Sequence, residues 1–76
     1  MSIIYKLPIE DVNDQEAVIV SIEFENGDQV RKGDLIYSFE TTKAVIEVEA
    51  EDDGFIFYLV NLSDTVEVGS EVLLIT

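Results

Sequence analysis

The sequence predicts an all-β domain, and three observations support that fold class. Apolar and polar residues alternate along most of the chain, which is typical of strands with one buried face. Clusters of Gly, Asn, Asp and Ser interrupt the alternation at short intervals, as turns between strands do. The second half of the chain also repeats the pattern of the first half. Together these features predict a sandwich or flattened barrel, and no segment shows a convincing helical pattern.

The alternation has the pattern of half-buried strands. In segment 17–25, Val18, Val20, Ile22 and Phe24 fall on one face, and segment 44–50 alternates in the same way. β-branched and aromatic residues fill these segments, as strands prefer. The predicted strands are Ile3–Leu7, Ala17–Glu25, Leu35–Thr41, Ala44–Ala50, Phe55–Leu62 and Glu71–Ile75. The turn signals between them are Asn13-Asp14, Asn26-Gly27-Asp28, Gly33-Asp34, Asp52-Asp53-Gly54 and Ser63-Asp64.

The internal repeat has an offset of about 36 residues. Segment 26–30 recurs as segment 62–66, and Gly33 recurs as Gly69. Two similar strand–loop–strand units related by a pseudo-twofold axis would bury one shared core, which neither unit could form alone. Segment 40–44 joins the two units, whereas the chain terminus occupies the equivalent place in the second unit. We therefore expect the joining hairpin and the termini at opposite ends of the domain.

The two copies of the loop also indicate its type. Asn26-Gly27 alone is typical of a two-residue hairpin turn. The second copy has Leu62-Ser63 there, which is a poor sequence for such a turn. We therefore expect wider loops, with Val30 and Val66 packed beneath them. Gly33 and its repeat would close the loops with positive φ.

Composition disfavours several classes of function. The 76 residues are enough for one domain, 1–76, and contain neither Cys nor His. Histidine is the commonest general base and metal ligand, so its absence disfavours a self-contained hydrolase or a metal site. A net charge of −13 disfavours nucleic-acid and anionic-membrane partners; it suits basic docking faces or simply maintains solubility. Neither a membrane-spanning run nor a leader is apparent, so a cytoplasmic location is expected.

Lys43 is the one chemically promising group. A lone lysine on a strand turn commonly protects a sheet edge, so its position alone favours that interpretation. However, the neighbours of Lys43 are small, so an enzyme could bind closely around the turn; these neighbours are Thr41, Thr42 and Ala44. Apolar strands on both sides would also hold the turn rigid. The acidic segment 51–53 lacks the ligand ladder of a calcium loop. No catalytic residue is expected.

The sequence around Lys43 resembles the biotinyl/lipoyl attachment domain family. Glu40-Thr41-Thr42-Lys43-Ala44 is similar to the Glu-Thr-Asp-Lys-Ala that characterises the lipoyl branch at its modified lysine. The matching segments are 27–36, 40–44, 46–50, 53–54 and 63–69, with Leu7-Pro8 at the end of the first strand. The resemblance therefore covers almost the whole chain.

The resemblance implies a flattened β-barrel of two four-stranded antiparallel sheets, a barrel-sandwich hybrid, with the modified lysine on an exposed hairpin. Lys43 is then the acceptor of covalent lipoate. Residues for recognition by the attaching enzyme would be Glu40, Thr41, Thr42 and Ala44, and the matching structural glycines near the turn would be Gly33 and Gly54. For Glu40, an ordinary charge at a strand end is an equal alternative.

The implied function is a carrier that catalyses nothing itself and moves acyl groups or electrons between partner active sites on a swinging arm. The implied partners are a lipoate–protein ligase or a lipoyl/octanoyl transferase, and a multienzyme complex of the 2-oxoacid dehydrogenase type or another lipoate-dependent enzyme.

Two alternatives follow from the residues beside the lysine. Thr42 stands where the lipoyl branch usually has aspartate, so an unmodified interaction module is one alternative. The biotin branch flanks its lysine with methionines, and Met1 is the single methionine of the chain. A biotin carrier is therefore the less favoured alternative.

Overall fold

The computed structural model describes residues 1–8 and 15–76, and within them eight strands form two antiparallel sheets of four strands each. Sheet I has the order β1-β8-β6-β3, and sheet II has the order β5-β4-β2-β7. The strands are β1 (Ile3–Lys6), β2 (Glu16–Ile22), β3 (Gln29–Val30), β4 (Leu35–Glu40), β5 (Val45–Glu49), β6 (Gly54–Tyr58), β7 (Thr65–Glu67) and β8 (Glu71–Ile75). The predicted all-β sandwich of two four-stranded sheets is confirmed.

The six long strands match the sequence prediction to within a few residues at their ends. The alternation did not reveal β3 and β7, because strands of two and three residues place one buried side chain each. The predicted turn Asn13-Asp14 lies outside the described residues.

The short strands join the two halves of the chain. β3, from the first repeat, pairs with β6 of the second, in the register Gln29↔Phe55. β7, from the second repeat, pairs with β2 of the first, in the register Ala17↔Val66. Each repeat therefore contributes a short strand to the sheet of the other repeat. This pairing is why neither repeat could bury its apolar face alone, as predicted.

The two loops before the short strands have the same hydrogen bonding. The Asp28 carboxylate accepts a bond from the Glu25 backbone N–H (2.8 Å), and the Asp64 carboxylate accepts one from the Asn61 N–H (2.8 Å). Val30 and Val66 are 0% and 7% exposed beneath the loops. The φ angles of Gly33 and Gly69 are +96° and +89°, as expected. The wider loops predicted from the repeat are therefore confirmed.

The inward face of β2 differs from the expected one. Ala17 and Ile19 are buried, whereas Val18 and Val20 are 36% and 38% exposed. The register with β4 shifts between Ile19 and Ser21, which marks a β-bulge. The extra residue in the bulge reverses which side chains face inward. Of the four residues predicted to share a face, only Ile22 and Phe24 therefore pack against the core.

Tyrosines fasten the edges of the sandwich. Tyr58, on sheet I, donates a hydrogen bond to the Ile36 carbonyl of sheet II (2.6 Å). Tyr5 donates to the Asp52 carboxylate (2.6 Å) and accepts from the Glu51 N–H (2.9 Å). These bonds hold β1 against the turn between β5 and β6.

Gly54 lies where the last strand passes closest to β6. A Cβ atom there would lie 2.6 Å from the Thr76 carbonyl oxygen and 2.8 Å from Ile75 Cγ2, and φ is +155°. Phe55 and Thr76 exchange two backbone hydrogen bonds beside it (2.9 and 3.0 Å). Only glycine fits this approach without displacing backbone.

Gly54→Ala is expected to destabilise the domain more than Gly27→Ala. Gly27 also has positive φ, +92°, but its Cβ position is open, so alanine there costs only backbone strain of about 1–2 kcal/mol. At Gly54 the overlap adds about 1–3 kcal/mol. Urea unfolding of the two variants measures the difference, and equal costs would contradict the steric assignment.

The stability of the fold is expected to fall between about pH 10 and about pH 12. Burial, with the bond to Asp52, raises the pKa of Tyr5 to about 12, and burial raises the pKa of Tyr37 to about 12. Since an unfolded tyrosine has a pKa of about 10, the stabilisation is complete below that pH and is lost as pH rises through the folded pKa. Urea titrations across this range should show a shallower decline for Tyr5→Phe, and parallel declines would argue against a contribution from Tyr5.

Candidate functional site

The candidate site is the four-residue turn between β4 and β5. The strands pair up to Glu40↔Val45, and the Thr41 N–H then donates to the Ala44 carbonyl (2.9 Å). The Thr41 Oγ1 lies 3.2 Å from the Lys43 backbone nitrogen and 3.3 Å from the Ala44 nitrogen, and accepts a hydrogen bond from each. One threonine side chain thus holds the backbone of the residue that carries the amine.

The turn closes without a left-handed residue. Within residues 1–8 and 15–76, Ser63 is the one non-glycine residue with positive φ, so Thr42 and Lys43 both have negative φ. A β-branched residue such as Thr42 is compatible with that backbone. This chain can therefore place Thr42 beside Lys43 without backbone strain.

Lys43 lies at the end of the domain where β4 runs into β5, and its side chain is exposed. The side chains of Thr42, Lys43 and Ala44 are exposed, and that of Thr41 is half-buried. At the other end of β4, Ala50 exchanges backbone hydrogen bonds with the Gly33–Asp34 segment (both 2.8 Å). The termini also lie at that far end, as the repeat predicts, and the longest dimension of the domain is 33 Å.

The two matched glycines are not near the turn, contrary to expectation. The Lys32 N–H donates to the Asp53 carboxylate (2.8 Å), which brings Gly33 and Gly54 together at the terminal end. β4 has six residues and separates this cluster from the turn by about 17 Å. Both glycines have positive φ and hold loops at the opposite end from Lys43.

Beside the turn is a shallow groove with a volume of about 240 Å³. Its lining residues are Glu16, Ala17, Val18, Glu40, Thr41, Thr42 and Thr65. Exposed Glu40 lies between Val45 and Val18, its register partners on the neighbouring strands. Sequence reasoning missed Val18 and Val45 as surface residues near the lysine. The β2 bulge that turns Val18 outward has no signal in a single sequence.

The acidic segment 51–53 has structural roles. Asp52 accepts a bond from Tyr5, and Asp53 accepts one from the backbone of Lys32. Among the described residues, no group of three or more metal-ligating side chains is close enough to hold an ion. The same residues include no helix long and apolar enough to cross a membrane.

Comparisons with known proteins agree with this fold. A model of the biotin/lipoyl family, described as "Biotin-requiring enzyme", matches residues 6–75. The lipoyl domain of the 2-oxoglutarate dehydrogenase complex from Azotobacter vinelandii, a solution structure, is 32% identical with a TM-score of 0.83. That match covers 97% of this chain and 95% of the other. A sequence search of curated proteins found no match.

The family model and the structural match together identify a cofactor-carrier domain, a class in which the attached group supplies the chemistry. The chain belongs to the biotinyl/lipoyl attachment domain family, over nearly its whole length. Its structural likeness is to the lipoyl branch, which supports a lipoyl carrier domain and gives the biotin alternative less support.

Thr41→Val is expected to loosen the turn, because it removes the acceptor of the Lys43 and Ala44 amides. Loss of such bonds costs about 1 kcal/mol, so these two amides should exchange several-fold faster with solvent. Thr41→Ser keeps the hydroxyl and serves as the control. Hydrogen exchange followed by NMR measures both variants. Unchanged exchange in Thr41→Val would show that the side chain does not hold the turn.

Proposed function

We propose that Lys43 carries lipoate through an amide bond to its Nζ, and that the domain delivers this arm to partner active sites. The observation that carries the proposal is the exposed lysine on a rigid turn at the far end of a domain that is structurally similar to a lipoyl domain. The Glu40↔Val45 pair and the Thr41 bonds fix the base of the arm.

The chain's own contribution is placement of the amine. To attack the activated carboxyl carbon of lipoate, Nζ must be deprotonated; the amide then forms as the activating group leaves. The lysine thereby loses its positive charge. When attached, the dithiolane supplies the redox and acyl-accepting chemistry. Exposure of Thr42, Lys43 and Ala44 leaves space for a lipoyl chain and for the enzyme that attaches it.

Recognition by the attaching enzyme is assigned to the residues around the lysine. Exposed Glu40 offers a carboxylate at the end of β4, and small Thr42 and Ala44 give close access to the backbone. The half-buried Thr41 acts indirectly, because its hydroxyl sets the turn. Thr42 lacks the charge of the usual aspartate, so Glu40 becomes the nearest acidic group in sequence that can guide the enzyme.

The proposed partners are of two kinds. A lipoate–protein ligase or a lipoyl/octanoyl transferase would modify Lys43. A multienzyme complex of the 2-oxoacid dehydrogenase type would then use the arm, whose tether raises its local concentration to about millimolar. The net charge of −13 favours partners with basic docking faces over nucleic acid or anionic membranes. A single domain over 1–76, with no catalytic role, and a cytoplasmic location remain predictions.

Lipoylation of Lys43 is the direct test. The purified chain is incubated with lipoate, ATP and a lipoate–protein ligase, and its intact mass and peptide map are then measured. We expect one lipoyl increment, located on Lys43, while Lys6 and Lys32 in the same chain remain unmodified. Lys43→Arg keeps the charge but should not be acylated.

A parallel incubation with biotin, ATP and a biotin ligase distinguishes the two branches of the family. Biotin on Lys43 without lipoate would replace the proposal with a biotin carrier. An unmodified Lys43 in both reactions, with an authentic lipoyl domain modified alongside, would leave an interaction module.

A further inference from the structure

The loop between β2 and β3 contains the dipeptide Asn26-Gly27, and both residues are exposed. An asparagine side chain can be attacked by the backbone nitrogen of the residue that follows it. Glycine in the following place favours this attack, because it has no Cβ atom to obstruct the approach. Of the three asparagines in the chain, Asn13 precedes aspartate, Asn61 precedes leucine and only Asn26 precedes glycine. Asn26 is therefore the asparagine most susceptible to deamidation.

Deamidation converts the asparagine side chain into an acid in two steps. In the first step the Gly27 nitrogen, after losing its proton, bonds to the Asn26 Cγ, and the side-chain nitrogen leaves as ammonia. The product of this step is a cyclic imide. In the second step water opens the imide at either carbonyl, which gives aspartate or isoaspartate. One water is consumed, one ammonia is released and nothing is oxidised or reduced, so the chain gains one negative charge beyond its −13.

Hydrogen bonds to β6 restrain both reacting groups in the folded domain. The Gly27 N–H donates to the Ile56 carbonyl (2.7 Å), and the Asn26 Oδ1 accepts from the Tyr58 N–H (2.8 Å). The Gly27 nitrogen can lose its proton only after it separates from Ile56, and the Asn26 side chain can rotate only after it releases Tyr58. Deamidation therefore requires the loop to open from β6.

The second loop shows that the fold does not require this dipeptide. By the internal repeat, Leu62 and Ser63 are the equivalents of Asn26 and Gly27. The Ser63 N–H donates to the Ile19 carbonyl (2.8 Å), as the equivalent N–H of the first loop donates to β6, and φ of Ser63 is +73°. A backbone of the same form is thus built without asparagine or glycine, so the reactive pair is a property of the first loop alone.

We propose that Asn26 is a deamidation site that the native loop restrains, so that modification marks chains whose first loop has opened from β6. When opening and closing are fast, the rate of deamidation follows the population of the open loop. Glu25 and Asp28 hold the loop closed, because the Glu25 N–H donates to the Asp28 carboxylate (2.8 Å) and the Asp28 N–H donates to the Glu25 carbonyl (3.0 Å). Loss of these bonds therefore accelerates deamidation, whether or not Lys43 is modified.

Isoaspartate at position 26 changes the loop that contains it. The isoaspartate linkage adds one carbon atom to the backbone between Glu25 and Asp28, so these two residues cannot keep both of their hydrogen bonds in the same geometry. β3 directly follows the loop and carries Val30, which is 0% exposed. We therefore expect the isoaspartate form to unfold at a lower denaturant concentration than the unmodified chain.

Incubation of the purified chain in mildly alkaline buffer, either folded or unfolded in guanidinium chloride, tests the proposal. Peptide mapping that separates asparagine, aspartate and isoaspartate measures the modification at each site. In the unfolded chain we expect Asn26 to be modified well before Asn61, and folding should slow the reaction at Asn26 by at least about tenfold. Gly27→Ser copies the residue that has this backbone in the second loop, and its side chain should slow the reaction in the unfolded chain.

A pair of matched variants separates opening of the first loop from unfolding of the whole domain. Asp28→Ala removes the carboxylate that closes the first loop, and Asp64→Ala removes the equivalent carboxylate of the second loop. Asp28→Ala should raise the rate at Asn26 in the folded chain by about fivefold, relative to the same variant in denaturant. Asp64→Ala should raise it much less.

Hydrogen exchange of the wild-type Gly27 N–H is a measurement that does not depend on any variant. Because exchange also requires this nitrogen to lose its proton, its protection factor should match the factor by which folding slows deamidation. Equal deamidation rates in the folded and unfolded chain would overturn the proposal. So would modification of Asn61 as fast as Asn26 in the unfolded chain, or equal acceleration by the two aspartate variants.

Discussion

Each half of this chain needs the other half to bury its apolar residues. Val30 and Val66 lie on strands too short to be stable alone, and each becomes buried by pairing with a long strand of the opposite repeat. A defect in either short strand would therefore expose part of both sheets. The exchange couples the two halves of a 76-residue domain that has no cysteine for a disulfide and, within residues 1–8 and 15–76, no group of side chains that could hold a metal ion.

The same exchange determines where the lysine lies. Because β4 and β8 occupy equivalent places in the two sheets, the chain leaves β4 at one end of the sandwich and leaves β8 at the other. The hairpin that joins the repeats therefore lies at the end of the sandwich opposite to the end where β8 finishes. Thr41 then shapes the turn locally, so position comes from the whole fold and backbone geometry comes from one side chain.

Most of the fold could be predicted from the sequence because alternation, turn residues and the repeat all report on local patterns. The wide loops were predictable because the second copy removed an ambiguity of Asn26-Gly27 that one copy alone leaves. The exposure of Val18 and Val20 was not predictable. A single extra residue in a bulge reverses the faces, and only pairing with β4 reveals it. The terminal location of Gly33 and Gly54 likewise depends on contacts between distant segments.

The side-by-side termini have a consequence for how such a domain can be connected. Ile3 pairs with Ile75, so the two ends of the chain leave the sandwich together, at the end away from Lys43. A domain with adjacent ends can be placed in series with others or inserted into a surface loop of a host protein with little distortion of either fold. In each arrangement the lysine would lie at the end of the domain farthest from the point of attachment.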